Sequence, residues 1–380
     1  MSSISIAILA KNEERCIARC LDSILGQGFD DVVVVDTGSS DETLNIIAEY
    51  EAAELRVLQT PWRGSFSEAR NLAIDAIESD WIVFLDADEW LTPHDCGLLR
   101  SSLEAAGTDV GASSATVFAP TVYDTAHNTH IKEVPRIFRA NSQIRYKGLV
   151  HEYPVLRRGG NHQDEKVDIV GVDIEILHDG YDPGVIQAKR KTERNFELLE
   201  NARAIDPGNP RWLYFTLRNP LSIFTDANLL VQLCESLRIL ASNAATSDDW
   251  TSAHEYYRRG LTLTCQGLGL QGKWHDVAWC CTEIDRIEHD GSADSFYFRT
   301  LSKIADDTAK NSDLLAAVKI RQNEEIIQES TICHLGRNID ALIVTLLGKF
   351  RSAAEADRYL ELCETWSDLF FEKSHLRLRP

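Results

Sequence analysis

The stretch Trp81–Leu91, WIVFLDADEWL, joins a run of bulky apolar residues to a cluster of carboxylates. The apolar residues Trp81–Leu85 predict a buried strand, and Asp86 and Asp88 follow it directly. Residues i and i+2 of an extended chain share a face, so we expect both carboxylates to point the same way. Adjacent carboxylates repel unless a positive group lies between them, and oxygen ligands suit Mg²⁺ or Mn²⁺. The alternative is a solvated strand end with acidic turn residues.

Three further strands precede this one, and helices alternate with them. The apolar runs that predict these strands are Ile4–Leu9, Asp31–Val35 and Leu55–Leu58. Helical periodicity predicts helices over Arg15–Leu25, Glu42–Glu51 and Glu68–Ile77. This alternation predicts a doubly wound α/β sheet, in which ligands bind beyond the carboxyl ends of the strands.

Polar residues cluster at three of these carboxyl ends, at Ala10–Glu14, Asp36–Asp41 and Asp86–Glu89. A carboxylate such as Asp36 can accept a hydrogen bond from a base N–H or a ribose hydroxyl. The hydroxyls and amides of Thr37–Ser40 can bind polar groups nearby. The alternative for Asp36–Asp41 is an ordinary helix N-cap turn. Because three polar ends converge on one crevice, we expect a ligand-binding site there.

The composition indicates an acidic globular protein with reduced thiols. Its 380 residues predict two domains or a large domain with an appendage, and the net charge of −20 argues against nucleic acid or an anionic membrane surface as a partner. No apolar run approaches the length of a membrane span, and Ile4–Leu9 is too short for a signal-peptide core. The nine cysteines include no C-x-x-C pair, so we expect a cytoplasmic protein.

Residues 4–91 resemble the nucleotide-sugar-binding half of family 2 glycosyltransferases, which have the GT-A fold. The matching pieces are Ile6–Glu14, Val34–Thr43, Ala69–Asn71 and Phe84–Glu89. The resemblance implies a UDP-sugar site formed by Ala10, Asn12, Glu13, Asp36, Thr37, Gly38, Ser39, Asp41, Arg70, Asp86 and Ala87.

The resemblance also implies separate roles for these side chains. Asp36 would hold the uracil or ribose end of the UDP-sugar, and Arg70 would lie near the nucleotide. Asp86 would lie near the ribose and sugar, and Asp88 would bind the metal. Without the motif, Arg70 would be taken as an ordinary arginine on a helix surface.

Residues 113–152 are similar to one branch of this family, which includes sublancin-type peptide S-glycosyltransferases and lipopolysaccharide-core glucosyltransferases. The shared order is a strand, Arg-x-Phe-Arg at 136–139, aromatic-x-Gly at 146–148 and Val-His-Glu at 150–152. A later His-x-Gly-Tyr element begins at His178, and the resemblance implies that this imidazole joins Asp88 on the metal. Taken alone, a histidine at a strand end is more often structural.

Transfer with inversion needs a base on the acceptor side of the sugar, opposite the departing UDP. Glu152 is the predicted base, and His151 is the next candidate. The alternative for Glu152 is an ion-pair partner of Arg136 or Arg139. The metal would neutralise charge growing on the diphosphate. A cysteine thiol as acceptor would need little base strength, because thiols are already fairly acidic.

Helical periodicity replaces the β-branched runs beyond Asp182, so the predicted domains are a catalytic domain, 1–182, and an all-α domain, 183–380. Helix-turn-helix units of about forty residues indicate a tetratricopeptide-like array that binds the acceptor or a second copy as a homodimer. The alternative is a helical bundle that buttresses the catalytic domain. Leu314–Gln328 predicts one helix. Gly267–Gly272 matches G-x-G-x-x-G, but no strand precedes it, so we expect a loop.

The sequence therefore predicts an inverting, metal-dependent glycosyltransferase that moves a hexose from a UDP-sugar to an acceptor. A peptide side chain (Cys, Ser or Thr) is the favoured acceptor, and a glycolipid or lipopolysaccharide core is the alternative. The alternative that is not an enzyme is a degenerate, non-catalytic scaffold with a helical interaction array. The intact Asp86, Asp88, Glu152 and His178 argue against the scaffold.

Overall fold

The computed structural model describes residues 2–108, 115–132, 134–157, 164–180, 190–219, 226–244, 250–288, 292–333 and 335–366. The chain divides into two compact units, Met1–Ala202 and Arg203–Pro380. The domain boundary predicted after residue 182 lies outside the described residues. The boundary therefore stays a prediction.

The first unit contains a mixed nine-stranded sheet. Its strands, in spatial order, are β3 (Leu55–Gln59), β2 (Asp31–Asp36), β1 (Ile4–Ala10), β4 (Trp81–Asp86), β8 (Ile137–Arg139), β6 (Thr116–Asp124), β12 (Asp168–His178) and β5 (Glu89–Trp90), with β7 (Thr129–Ile131) beside β6. The first four are parallel, and β8 is antiparallel to both β4 and β6. The predicted α/β fold with a mixed, doubly wound sheet is confirmed.

The region between the Arg-x-Phe-Arg motif and β12 forms a second sheet of three strands. It is formed by β9 (Ile144–Lys147), β10 (Tyr153–Arg157) and β11 (Asp164–Glu165), all antiparallel. The Arg-x-Phe-Arg motif at 136–139 enters its strand only at Ile137, where β8 begins. Pro135 has no N–H to donate to a ladder, which limits pairing at this point.

The parallel strands are buried on both faces because their side chains alternate between two hydrophobic cores. In β2, Val32 and Val34 pack into one core, and Val33 and Val35 pack into the other. Because both faces are buried, the sequence of β2 is an unbroken run of valines instead of an alternation of apolar and polar residues. The same reason explains the apolar run that precedes Asp86.

Helices pack against the sheet, and a side-chain cap fixes the start of one of them. They are α1 (Ile17–Ile24), α2 (Thr43–Ala48), α3 (Phe66–Ala76) and α4 (Pro93–Thr108). The helix α3 begins two residues before the prediction, because the Ser65 side chain accepts a hydrogen bond from the Glu68 N–H at 3.2 Å. The sequence reading made no prediction for α4.

The second unit is built from helices over its described residues, with short connections between them. The helix Lys191–Ile205 spans the division between the units. It is followed by Pro210–Arg218, Ala227–Ala244, Trp250–Leu270, Trp274–Glu288, Ala293–Ala305, Asn311–Arg321, Glu324–Glu329, Arg337–Phe350 and Ala353–Trp366. The predicted all-α second half is confirmed, and the tetratricopeptide-like arrangement stays a prediction. Across the described residues, no helix combines the length and apolar character needed to cross a bilayer.

The glycine-rich segment Gly267–Gly272 is not the loop that the sequence predicted. Residues 267–270 form the last turn of the helix Trp250–Leu270. Gly269 lies against the Trp274 ring, where an added Cβ would come within 3.3 Å of ring atoms. Gly272 has a φ of 70° and ends the helix in the left-handed conformation. The glycines therefore serve close packing and helix termination.

The single helix predicted over Leu314–Gln328 is also wrong, because the chain forms two helices there. Asn311–Arg321 ends before Asn323, and Glu324–Glu329 begins after it. The Asn323 side chain accepts a hydrogen bond from the Ile326 N–H at 3.2 Å. Asparagine competes with the helix in this way and favours a cap.

Candidate active site

The carboxyl ends of the parallel strands meet at one edge of the sheet. Ala10 pairs with Asp36 in the register of β1 and β2, and Leu9 pairs with Asp86 in the register of β1 and β4. Asp36 and Asp86 therefore lie on either side of the end of β1. The structure brings together the three polar ends that the sequence singled out, at the place where open α/β sheets bind ligands.

The loops after β1 and β2 hold each other through hydrogen bonds. The Asn12 N–H donates to Ser39 Oγ at 2.9 Å, and the Ser40 N–H donates to Asn12 Oδ1 at 2.8 Å. The Glu13 N–H donates to Thr43 Oγ1 at 2.7 Å. Asn12 adopts a φ of 55°, which asparagine tolerates better than most residues. The two loops that carry the predicted donor-site residues are thus held together by hydrogen bonds.

Asp36 and Asp41 shape the second of these loops from within. The Asp36 carboxylate is 2% exposed and accepts hydrogen bonds from the Gly38 N–H at 3.0 Å and the Ser39 N–H at 3.2 Å. Asp41 accepts from the Thr43 N–H and hydroxyl at 3.1 and 2.6 Å. Both carboxylates therefore use part of their acceptor capacity on local turn geometry, as the alternative reading of this segment expects. Thr37 and Gly38 lie between them, and the Thr37 N–H donates to the Ala10 carbonyl at 3.0 Å.

Asp86 accepts hydrogen bonds from two buried arginines at the end of β4. Arg70 Nη2 lies 2.9 Å from Asp86 Oδ1, and Arg136 Nη2 lies 2.8 Å from Asp86 Oδ2. The arginine side chains are only 6% and 8% exposed, whereas the Asp86 side chain is 37% exposed. Burial alone raises the pKa of Asp86, but the two guanidinium groups outweigh it and hold that pKa well below its usual value. Asp86 thus stays ionised and within reach of a ligand.

The argument that Asp86 and Asp88 share a face as part of one extended strand is wrong. Ala87, 3% exposed, and Asp88 form a turn between β4 and β5. Each carboxylate also has its own basic partner in the protein: Arg70 for Asp86, and His178 and Lys191 for Asp88. Neither carboxylate therefore needs a bound cation to have a basic neighbour. Asp88 nevertheless lies close enough to Asp86 for the two charges to repel.

Glu89 is a member of the buried network that the sequence reading passed over. It is 2% exposed, accepts from the Asp86 N–H at 2.8 Å, and lies 2.6 Å from Arg136 Nη2. Burial raises the pKa of Glu89 to about 7, although Arg136 opposes this shift. Its position directly after Asp-x-Asp was the available signal.

Glu152 is paired with an arginine that the prediction did not consider. Arg70 Nε donates to Glu152 Oε1 at 2.7 Å, and the Glu152 side chain is 12% exposed. The predicted alternative partners, Arg136 and Arg139, are wrong: Arg136 binds Asp86 and Glu89, and the Arg139 guanidinium lies over the Trp81 ring. The surface-helix alternative for Arg70 is wrong as well, since Arg70 is 5% exposed.

His151 precedes this carboxylate in an unusual backbone conformation. Its φ of 50° lies in the left-handed region, and Gly148 just before it has a φ of 110°. A non-glycine residue with positive φ costs free energy and is found where surrounding structure imposes it. The Phe66 N–H donates to the Leu149 carbonyl at 2.9 Å, which fixes this turn against the start of α3.

Asp88 and His178 face each other between the β4–β5 turn and the end of β12. His178 Nε2 lies 3.6 Å from Asp88 Oδ1, and both side chains are 9% exposed. An added Cβ on Gly180 would lie 1.9 Å from Asp88 Oδ2 and 2.7 Å from His178 Nε2. The backbone of Gly180 therefore covers this pair at a distance that no other residue allows.

This pair fits a divalent cation with an incomplete set of protein ligands. An oxygen and a nitrogen 3.6 Å apart can both reach one ion at bond lengths of about 2.0–2.2 Å. Within the described part of the chain, no three His, Cys, Asp or Glu side chains are placed to hold a metal. An ion on Asp88 and His178 would therefore fill the rest of its coordination shell from water or substrate, as Mg²⁺ commonly does.

Two arginines anchor the strand end that carries His178. Arg15 Nη1 and Arg19 Nη1 lie 2.8 and 2.9 Å from Asp179 Oδ2. Burial alone raises the pKa of Asp179, but these partners hold it well below its usual value. The ion pairs tie α1 to the end of β12, so they position His178 across more than 150 residues of sequence.

The helix Lys191–Ile205 brings two cations to the site, and neither was among the predicted site residues. Lys191 Nζ lies 3.5 Å from Asp88 Oδ2 and donates to the Gly180 carbonyl at 3.2 Å. The Arg194 guanidinium lies over the Phe66 ring and close enough to Glu13 and Glu152 to interact with their charges. No sequence signal connects these residues to Asp88, because helical spacing describes only the helix itself.

A cavity of about 320 Å³ opens beside the donor-side loops. Its walls include Thr37 and the segment Thr60–Arg63, together with Asn71 and Asp75 of α3. Trp62 in this segment contacts Phe66 edge-on, with ring centroids 4.8 Å apart. Of the predicted donor-site residues, Thr37 lines this cavity.

Residues 5–159 match the sequence profile described as glycosyl transferase family 2. The SPbeta prophage-derived glycosyltransferase SunS of Bacillus subtilis strain 168 is 27% identical over 305 residues, which are 80% of this chain and 67% of SunS. A TPR repeat-containing protein of Synechococcus elongatus is 31% identical over 211 residues, which are 54% of this chain and 49% of that protein. The crystal structure of S. aureus TarS aligns at a TM-score of 0.40 and 14% identity, covering 69% of this chain and 54% of TarS.

Proposed function

Because residues 5–159 form a glycosyl transferase family 2 domain, we propose that the protein transfers a hexose from a UDP-sugar to a peptide side chain, with inversion and with a divalent cation. The observation that carries this proposal is the pair Asp88 and His178, 3.6 Å apart at the carboxyl edge of the sheet. Asp86 lies beside the pair with more than a third of its side chain exposed.

The donor nucleotide is proposed to lie on the surface formed by the loops after β1 and β2. Asp36 would accept a hydrogen bond from the uracil or ribose. The same surface would be lined by Ala10, Asn12, Glu13, Thr37, Gly38, Ser39 and Asp41. The hydrogen bonds between these loops support the proposal, because a preformed surface loses less entropy on binding. Asp86 would contact the ribose and sugar, held in place by Arg70 and Arg136.

Asp88 and His178 are proposed to hold Mg²⁺ or Mn²⁺. When bound there, the cation would neutralise the charge that develops on the departing UDP. The short set of protein ligands supports a site in which the diphosphate completes the coordination shell. Gly180 is proposed to be required at this point, because any side chain would strike both ligands.

Glu152 is proposed to take the proton from the acceptor, with His151 as the second candidate. The ion pair with Arg70, 2.7 Å away, fixes the position of the Glu152 carboxylate. A cysteine thiol needs less help from a base than a serine or threonine hydroxyl, because thiols are more acidic. We therefore propose cysteine as the favoured acceptor residue.

The similarity to SunS supports a peptide acceptor, and the helical unit is proposed to bind that acceptor or a second copy of the chain. The test is intact-mass analysis of short peptides incubated with the protein, Mn²⁺ and several UDP-sugars. Peptides bearing a single cysteine, serine or threonine in the same sequence would be compared. We expect a mass gain of one hexose on the cysteine peptide and a smaller yield on the hydroxyl peptides.

The matched controls are a peptide in which alanine replaces the acceptor residue and the protein variant Asp88→Asn. Neither should give a modified peptide. Transfer to a lipopolysaccharide core in place of all peptides would overturn the peptide acceptor and keep the transferase. Absence of both transfer and UDP-sugar hydrolysis in every arm would favour the non-catalytic scaffold.

A further inference from the structure

Lys191 and His178 lie against different oxygen atoms of the Asp88 carboxylate. Lys191 Nζ lies 3.5 Å from Asp88 Oδ2 and donates to the Gly180 carbonyl at 3.2 Å, while His178 faces Asp88 Oδ1. The Lys191 side chain is 25% exposed and the Asp88 side chain is 9% exposed. The charge of this carboxylate is therefore already balanced by an ammonium group supplied by the chain itself.

A divalent cation on Asp88 would have this ammonium group as a close neighbour. Two positive groups that share one carboxylate repel, and the repulsion is strong where water is partly excluded. A sugar diphosphate placed beside them brings negative charge that can satisfy both at once. Lys191 thus weakens binding of the cation alone. It strengthens binding of the cation and the diphosphate together.

We propose that Lys191 couples the binding of the cation to the binding of the UDP-sugar, so that Asp88 and His178 take up the metal only together with the diphosphate. This inference rests on the proposed donor and metal site, and it adds a residue outside the family 2 match at 5–159. Lys191 acts here as a positioning residue, because it works through Asp88 and the charge of the diphosphate.

The observed contacts also limit what Lys191 does structurally. Its hydrogen bond to the Gly180 carbonyl also holds the backbone that lies against Asp88. Arginine at this position would keep the charge, and methionine would keep the stem without the charge. The pair Lys191→Arg and Lys191→Met therefore separates the charge from the packing of the side chain.

The test measures Mn²⁺ binding by electron paramagnetic resonance of the free ion, with and without UDP, in the full chain. We expect Lys191→Met to bind Mn²⁺ alone about tenfold more tightly than the wild-type protein. We also expect the gain in Mn²⁺ affinity caused by UDP to shrink by about the same factor. Lys191→Arg should behave like the wild-type protein.

Lys349→Met is the matched control, because Lys349 also pairs with an aspartate, Asp307, but lies in the helical unit. It changes the net charge equally and should leave both Mn²⁺ affinities unchanged. Thermal unfolding of each variant checks that the fold is kept.

Equal Mn²⁺ affinity in Lys191→Met and wild-type protein without UDP, with UDP still tightening both equally, would overturn the coupling role and keep the metal site. Failure of the wild-type protein to bind Mn²⁺ even with UDP would overturn the metal site itself, and the coupling with it. A third result is that the wild-type protein binds UDP tightly without any metal and that Lys191→Met loses this binding. The lysine would then replace the cation, which would also contradict the proposal.

Discussion

Arg136 is the cation that two carboxylates of the site share. Its Nη2 lies 2.8 Å from Asp86 and 2.6 Å from Glu89, and its side chain is 8% exposed. Arg136→Met would leave Glu89 buried beside Asp86 without this positive charge. Breaking a buried ion pair from one side costs about 3–5 kcal/mol, so we expect a loss of that size in the free energy of unfolding of the first unit.

Arg145→Met is the matched control for this prediction. Arg145 also pairs with a carboxylate, Asp75, but the two side chains are 30% and 63% exposed. Exposed pairs contribute about 0–1 kcal/mol, so urea unfolding followed by tryptophan fluorescence should separate the two variants clearly. Equal losses in both variants would show that burial of Arg136 carries no special stability.

Glu152→Gln tests the proposed base while keeping a hydrogen-bond acceptor for Arg70 Nε, 2.7 Å away. A positioned general base contributes about 10²–10⁴ to the rate, so we expect the turnover of a serine peptide to fall within that range. The fall should be smaller for a cysteine peptide, because the thiol loses its proton more easily. The initial rate of UDP release reports both values.

His151→Gln is the companion variant, since His151 is the second candidate base. If the rate falls in His151→Gln and holds in Glu152→Gln, the two assignments must be exchanged. Equal rates in both variants and the wild-type protein would remove the base from the mechanism.

At this scale the sequence identified the polar residues but not their partners. Asp86, Asp88, Glu152 and His178 were found because the motifs that contain them are short and contiguous. The arginine that binds Glu152 is 82 residues away, and Lys191 is about a hundred residues from Asp88. The fold determines which of these distant residues pair. Local patterns of charge in the sequence do not contain that information.

The end of β12 is the element that brings the second proposed metal ligand to the first. Gly180→Ala would place a Cβ 1.9 Å from Asp88 Oδ2, so the carboxylate or the strand end must move. We expect this variant to lose most of the Mn²⁺-dependent increase in UDP affinity while the sheet stays folded. Isothermal titration of UDP with and without Mn²⁺ measures the effect.

Gly171→Ala is the control on the same strand, because an added Cβ there meets nothing within 4 Å. It should bind UDP like the wild-type protein. The same loss of Mn²⁺ dependence in both variants would mean that general loosening of β12, rather than the contact with Asp88, is responsible.

Close helix packing in the second unit depends on glycine in a similar way. Gly260 lies within the helix Trp250–Leu270, and an added Cβ would lie 2.8 Å from Leu237 Cδ1. Overpacking of this kind costs about 1–3 kcal/mol, so Gly260→Ala should lower the unfolding temperature of the helical unit.

Gly348→Ala should have the opposite sign. Its added Cβ would meet Ala356 at an ordinary 3.9 Å, and alanine is the better helix former by about 0.5–1 kcal/mol. Scanning calorimetry of both variants tests the pair. A stabilised Gly260→Ala would show that the helices Ala227–Ala244 and Trp250–Leu270 separate without cost.

Elements with a strong period were predictable, and elements defined by turns or long-range pairing were not. The valine run of β2, Asp31–Asp36, matches its predicted bounds within one residue. The break at Asn323 and the helical turn at Gly267–Leu270 were missed, because capping and close packing override propensity there. The short strand β5 exists only through its pairing with β12.

For the whole molecule, the change from β-branched runs to helical periodicity predicted a sheet-based first half and a helical second half. The structure has this division, with separate hydrophobic cores for the sheet and for the helices. The nine cysteines are all free and buried, as expected of core residues. The ion network at the sheet edge could not be predicted, since it gathers residues from distant segments of the chain, among them Arg70, Glu152 and Lys191.

The donor site as a whole is tested most directly by calorimetric titration of UDP into the full chain, with and without Mn²⁺, for the wild-type protein and Asp88→Asn. Asparagine keeps the shape of the side chain and removes the charge that His178 and Lys191 face. We predict that Mn²⁺ tightens UDP binding at least about tenfold in the wild-type protein and has no effect in the variant. Equal tightening in both proteins would contradict a metal site on Asp88 and the transfer mechanism that depends on it.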